Sequence, residues 1–267
     1  MKRNIIYIIS LVLALSSCTG YQKLLKSNDY QLKYTKAKEY YQKKDYLRAS
    51  TLLEDIAPFF KGTQDADNIL YLIADCYYNN KNYETAINYY TSYCNNYPKG
   101  SHAIESRYMV GFCYYKESPD PRLDQTATHK SIEAFQIFME LYPYSERVSE
   151  ASKYVLELEN KLVYKALLNA RLYYKLGLYQ GNNYKSAIIV AGNALKDYPY
   201  SNYREELSFL ILEAKYMQAV KSIETKKDER YRETIDEYYV YAGEYPNGKF
   251  KKDAEKIFED SKKNIKN

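Results

Sequence analysis

The chain has no tryptophan, two histidines and four cysteines in 267 residues, and each scarcity removes a class of function. His102 and His129 stand apart from one another. No glycine-rich phosphate loop or metal-ligand spacing surrounds either, and Asp and Glu follow the rhythm of solvated helix faces. No convergent acid, base or nucleophile emerges, so no enzyme, metal site or cofactor is expected. A one-signed charge stripe is missing as well. The formal net charge is +5, but the lysines alternate with acidic residues at helical spacing, which excludes a nucleic-acid partner. Long apolar runs are also absent: the longest, Ile5 to Leu15, has about eleven residues, too few to cross a bilayer.

That run has another use. Lys2 and Arg3 precede it and Leu15-Ser16-Ser17-Cys18 follows, the order of a basic start, an apolar core and small residues at a secretory cleavage site. The last four residues look like the lipobox of bacterial lipoproteins, in which the cysteine sulfur takes a diacylglycerol. Residues 1–17 are therefore expected to be removed and Cys18 to be lipidated, carrying acyl chains such as palmitate. Several buried chains give stable anchoring. Thr19 after the cysteine, where inner-membrane retention would call for Asp, favours the outer membrane, and the absence of an acidic run after Cys18 favours a periplasm-facing orientation. Without the leader, 37 basic face 34 acidic side chains. The other cysteines, Cys76, Cys94 and Cys113, are expected as buried thiols, with a Cys76–Cys94 disulfide as the alternative in an oxidising compartment.

What the chain has in abundance is tyrosine, 35 against 8 phenylalanines, rings that combine apolar area with a hydroxyl. They are periodic. Doublets Tyr40-Tyr41, Tyr77-Tyr78 and Tyr114-Tyr115 lie 37 residues apart, and Tyr173-Tyr174 follows after an insertion. Interleaved with them are Tyr97-Pro98, Tyr142-Pro143, Tyr198-Pro199 and Tyr245-Pro246. In the unit ending at Pro98, Leu70, Ala74, Tyr77, Tyr83, Ala86, Tyr90, Tyr93 and Pro98 fall at positions 4, 8, 11, 17, 20, 24, 27 and 32. This resembles the tetratricopeptide repeat, or TPR. Small residues at 8 and 20 let two antiparallel helices approach, larger ones fill the surrounding space, and proline ends the second helix.

The same register fits a first repeat through Ala37, Tyr40, Tyr46 and Ala49, and a third through Gly111, Tyr114, Ser131, Phe135 and Pro143 with extra residues near Pro119–Pro121. A fourth runs through Ala170, Tyr173, Tyr184, Ala187 and Pro199, and a fifth through Tyr231, Thr234, Tyr238, Tyr241 and Pro246. Gly100-Ser101, Ser145, Ser201 and Gly248 follow the prolines and are expected to cap the next helix. Residues 249–265 read as an amphipathic helix closing the array. The fold expected is an all-α, right-handed TPR superhelix of about five repeats. Its expected divisions are a leader 1–17, a lipidated tether 18–29, an N-terminal half 30–143 carrying repeats one to three and a C-terminal half 144–267 carrying repeats four and five with the closing helix.

TPR proteins line an inner groove from positions 2, 5, 9, 12 and 13 of each first helix. By resemblance those positions are Gln31, Tyr34, Lys38, Tyr41 and Gln42, then Asn68, Tyr71, Asp75, Tyr78 and Asn79, then Glu105, Tyr108, Phe112, Tyr115 and Lys116, with Arg171, Tyr174 and Lys175 continuing the row. Tyr34, Tyr41, Asn68, Tyr71, Tyr78, Tyr108 and Tyr115 are the candidate peptide-binding residues.

A lipobox followed by five such repeats resembles the BamD family, lipoproteins of the β-barrel assembly machine in Gram-negative outer membranes. The resemblance implies that the early repeats recognise the C-terminal strands of unfolded outer-membrane proteins. It implies that the late repeats dock the periplasmic domains of BamA, beside the complex's other lipoproteins. Two alternatives share the architecture: a TPR lipoprotein coordinating cell-wall synthesis or division, and a SusD-like glycan-binding lipoprotein. The second is disfavoured by the missing tryptophans and the short chain.

Overall fold

The computed structural model describes residues 20–265; the leader and Cys18 lie outside the described residues. It is helical, with 76% helix and no strand among the described residues. A short helix over 20–25 (α1) leads into α2 (Tyr30–Gln42), α3 (Tyr46–Ile56), a 3-10 turn (Ala57–Phe60), α4 (Ala66–Asn79) and α5 (Tyr83–Asn96). There follow α6 (Ala103–Glu117), α7 (Thr126–Leu141), α8 (Val148–Leu176) and α9 (Asn183–Asp197). The last three are α10 (Arg204–Val220), α11 (Glu224–Glu244) and α12 (Lys251–Lys263).

Local chemistry sets these boundaries. The turns from α2 to α3 and from α4 to α5 pass through Lys44 and Lys81 with φ of 62° and 61°. Each then enters the next helix under a side-chain cap, Asp45 accepting from the Arg48 amide and Asn82 from the Thr85 amide. Asn182 repeats this at α9, and Asp29 caps α2. These Asx caps satisfy amides that have no partner within the helix. The helix ends are equally uniform. Tyr97, Tyr198 and Tyr245 adopt φ/ψ of −131/60°, −129/73° and −126/62°, because a residue before proline is driven out of the α region.

The serines expected as caps have another task. The Ser145 and Ser201 hydroxyls accept from the amides of Arg147 and Tyr203, two residues on, organising the turn ahead of the helix, and α10 starts without a side-chain cap. Gly100 and Gly248 admit a tyrosine. A Cβ at Gly100 would collide with the Tyr93 hydroxyl, and one at Gly248 would stand 2.9 Å from that of Tyr241.

The helix pairs close where the register places small residues. Ala37, Ala49, Ala74, Ala86, Ala170 and Ala187 are fully buried, and Ser131 and Thr234 take the same place in the third and fifth hairpins. At Gly111 even a methyl group is excluded, because the Phe135 ring would lie 2.8 Å from an added Cβ. The hairpins are therefore TPR units, each a helix-turn-helix, the first four with a small-residue notch on both helices.

The chain forms two compact units, one running through Glu117 and including Glu133–Val148, the other made of Ser118–Ile132 and Ser149 onward. Two further expectations change. The fourth repeat's first helix is 29 residues long, because nothing from Val148 to Leu176 breaks a helix and Ala151, Leu158 and Leu162 bury an apolar stripe along its added turns. The segment expected as tether is held: Tyr21, Leu24 and Leu25 of α1 pack on the first hairpin's core, and Lys33 donates to the Leu25 carbonyl at 2.9 Å.

Candidate functional site

In the first unit, α2, α4 and α6 carry the predicted groove residues, and polar contacts tie these helices together at a constant offset. The Asn68 amide donates to the Tyr34 hydroxyl at 2.8 Å, Tyr41 donates to Asp75 at 2.5 Å, and the His102 ring meets the Asn68 carbonyl oxygen at 3.2 Å. Every pair is 34 residues apart, one helical turn short of the 37-residue period. First helices of successive hairpins thus lie side by side, and each side chain reaches the neighbour one turn earlier.

Asp75 is the centre of this ladder. Its carboxylate accepts from Tyr41, from the Asn79 amide at 2.8 Å and from the buried Tyr90 hydroxyl at 3.2 Å. Burial, and then the Asp75 charge, hold the Tyr41, Tyr71 and Tyr90 phenols well above the usual tyrosine range. They stay neutral donors.

The seven predicted groove residues divide under this geometry. Tyr34 and Tyr108 are 2% and 1% exposed and do not face a groove. Tyr34 packs on Phe60, and Tyr108 packs on Phe135 and Phe138. In the first and third hairpins the ring at position 5 packs within its own hairpin, and its hydroxyl or face is closed from outside: the Lys38 ammonium lies 4.2 Å from the Tyr34 ring and the Arg147 guanidinium 4.6 Å from that of Tyr108. Arg147 is held there by Glu105 at 2.8 Å. Asn68 is half-buried between Tyr34 and His102, and Tyr41 is half-buried on Asp75.

Tyr71, Tyr78 and Tyr115 are half-buried; Tyr78 and Tyr115 make a row of rings with Phe112, and Tyr71 stands two turns before Tyr78 on α4. Tyr78 and Phe112 centroids lie 6.1 Å apart, and Phe112 stacks on Tyr115 at 5.8 Å. Lys116 extends its ammonium to 4.7 Å from the Phe112 ring. At the other end His102 stacks flat on Tyr71, 3.9 Å between centroids. Phe112 belonged to the same register but lay outside the tyrosine pattern, and His102 gave no sequence signal because Tyr71 is 31 residues away.

The second unit has its own groove, lined by Tyr174, Phe209, Glu213, Tyr216, Asp253 and Asp260. Burial pushes the Tyr174 phenol up to about 12, and Glu213, itself raised by burial and by Asp253, adds to the shift. Arg171, expected beside Tyr174 on the same wall, is paired with Glu206.

No group of three or more potential metal ligands occurs among the described residues. Cys76, Cys94 and Cys113 are free and buried, so the Cys76–Cys94 disulfide does not form. Burial lifts Cys76 and Cys113 to about 12, which keeps them as inert thiols.

A family model described as YfiO, outer membrane lipoprotein, matches residues 26–180. The chain belongs to this family. The YfiO match covers the first three hairpins and all of α8. No curated protein matches the chain in sequence. Among solved structures, a tetratricopeptide repeat protein from Parabacteroides merdae is 12% identical, with 88% of this chain and 100% of that one covered and a TM-score of 0.38. The TPR2AB domain of yeast Sti1, solved as a complex with pHSP90, is 15% identical over 87% and 98% of the two chains, with a TM-score of 0.38. The apo form of RapI is 13% identical over 97% and 95%, with a TM-score of 0.35.

Proposed function

We propose that this YfiO-family lipoprotein is a periplasm-facing TPR scaffold of the β-barrel assembly complex, anchored through acylated Cys18. Its first unit binds the C-terminal strands of unfolded outer-membrane proteins. Its second unit docks the periplasmic domains of BamA, beside the other lipoproteins of the complex. The carrying observation is the ring row Tyr78, Phe112 and Tyr115, with Tyr71 two turns before Tyr78 on α4, flanked by the exposed Asn79 and Lys116.

A strand that ends in an aromatic residue brings three features to such a wall. Its terminal ring stacks on the row, its backbone N–H groups donate to side-chain oxygens such as that of the Asn79 amide, and its carboxylate meets the Lys116 ammonium. The groove of the second unit, where Glu213, Asp253, Glu259 and Asp260 outnumber Lys256 and Lys263, suits a separate folded partner with basic edges.

The test is binding of a barrel-protein C-terminal peptide to the Tyr71→Ala, Tyr78→Ala double variant. Truncating two contact rings is expected to weaken binding by about tenfold or more while helix content stays unchanged. Unchanged affinity would discard the wall. Co-purification from solubilised outer membranes tests the complex: BamA is the expected companion, and recovery of a cell-wall synthase or a sugar importer in its place would redirect the assignment.

A further inference from the structure

Positive charge is unevenly spread along the processed chain. Residues 20–44 hold seven lysines against Asp29 and Glu39, whereas residues 45–267 hold 30 basic and 32 acidic side chains. The excess therefore sits beside the anchor. Between α1 and α2 runs a groove whose walls carry Lys23, Lys36 and Lys43, with Leu24, Leu32 and Tyr40 between them. Lys23 and Lys43 are exposed, and Leu32 keeps 43% of its surface in solvent. Lys36 is paired with Glu39 at 2.9 Å.

Geometry brings this groove to a membrane. Only Thr19 separates Cys18 from Gly20, and two fully extended residues reach about 7 Å. From Gly20 onward there is no slack. Tyr21 packs edge-on against Tyr40 at 5.7 Å, and the buried Lys33 holds the Leu25 carbonyl and the Asp55 carboxylate together. Any lipid on Cys18 thus draws the α1–α2 groove to headgroup depth.

We infer that the groove seats an anionic phospholipid headgroup of the leaflet that holds the protein's own acyl chains. The ammonium groups of Lys23 and Lys43 meet the phosphate, and the Leu24 and Leu32 side chains lie against the glycerol and upper acyl region. The inference rests on the lipoprotein reading above. It adds a second membrane contact that fixes how the TPR hairpins stand on the surface, as a lipid chain plus a basic patch holds more firmly than either alone.

The experiment uses the processed chain with Cys18→Ser, so that no acyl chain contributes, and co-sediments it with vesicles. Vesicles containing phosphatidylglycerol are expected to retain it, phosphatidylcholine vesicles are not, and retention should fall as salt rises. Lys23→Gln with Lys43→Gln should weaken retention roughly 30-fold, taking about 1 kcal/mol per lysine at an anionic surface. A Lys249→Gln, Lys251→Gln variant at the far end of the chain should bind like the parent. Equal retention on both vesicle types, or full retention by the Lys23, Lys43 variant, overturns the proposal. Mass spectrometry of the native protein examines the anchor separately: an unmodified Cys18 would sink the lipoprotein reading, whatever the vesicles show.

Discussion

Replacing Asp75 by alanine removes the acceptor shared by Tyr41, Asn79 and Tyr90. The three donors do not suffer equally. Tyr41 is half-buried and Asn79 exposed, so water takes over part of their bonding and the net loss there is about 1 kcal/mol. Tyr90 is 0% exposed, and its stranded hydroxyl costs about 1–3 kcal/mol. The variant should lose roughly 2–4 kcal/mol, which lowers Tm by about 5–15 °C for a protein of this size, followed by circular dichroism. The decisive arm is the double variant with Tyr90→Phe, which removes the stranded donor. If Asp75 acts as a buried acceptor, the double loss falls short of the sum of the singles by about 1–2 kcal/mol. Additivity within about 0.5 kcal/mol would refute the hub.

Glycines should separate by surroundings. Gly111→Ala drives a methyl group into the buried Phe135 ring, 2.8 Å away, and should cost about 1–2 kcal/mol after the gain in helix propensity. Gly192→Ala in α9, with nothing within 4 Å of the new Cβ, should stabilise by about 0.5–1 kcal/mol; equal effects in chemical denaturation would dismiss the packing account. Alkali should unfold the protein cooperatively. Phenols raised in the native state, among them Tyr41, Tyr71, Tyr77, Tyr89 and Tyr90, keep their protons while an unfolded chain releases them near its ordinary value of 10.0. Stability is then full below that value and falls as pH rises past it. Complete tyrosine ionisation with helix content retained would contradict this. The three buried thiols should react with a maleimide at neutral pH about 100-fold more slowly than in denaturant; fast labelling of the native chain would place them at the surface.

The repeat was readable from sequence because its determinants are local. A notch at Ala74 opposite one at Ala86, a proline two residues past Asn96 and an Asx cap before Tyr83 each fix geometry within a single hairpin. What was not readable depends on the neighbour. Whether the ring at position 5 lines a groove or is covered is decided in part by residues beyond its own hairpin, such as Asn68 for Tyr34 and Arg147 for Tyr108. The long α8 was hidden for another reason: the family register starts its helix near residue 163, while the uninterrupted amphipathic run upstream carries no repeat signal of its own. The α1 helix escaped because a tether was expected there, although Tyr21, Leu24 and Leu25 are apolar enough to dock.

The 34-residue ladder also makes the order of hairpins part of the fold's grammar. At position 9 the successive first helices carry Lys38, Asp75 and Phe112, and only the middle one offers a carboxylate to the phenol behind it. Exchange the first two hairpins and Tyr78 would confront Lys38 while Asp75 lost its preceding tyrosine. Such a shuffled chain would keep every notch and every proline yet misplace its internal address labels, so these modules are sentences that read in one direction rather than interchangeable bricks.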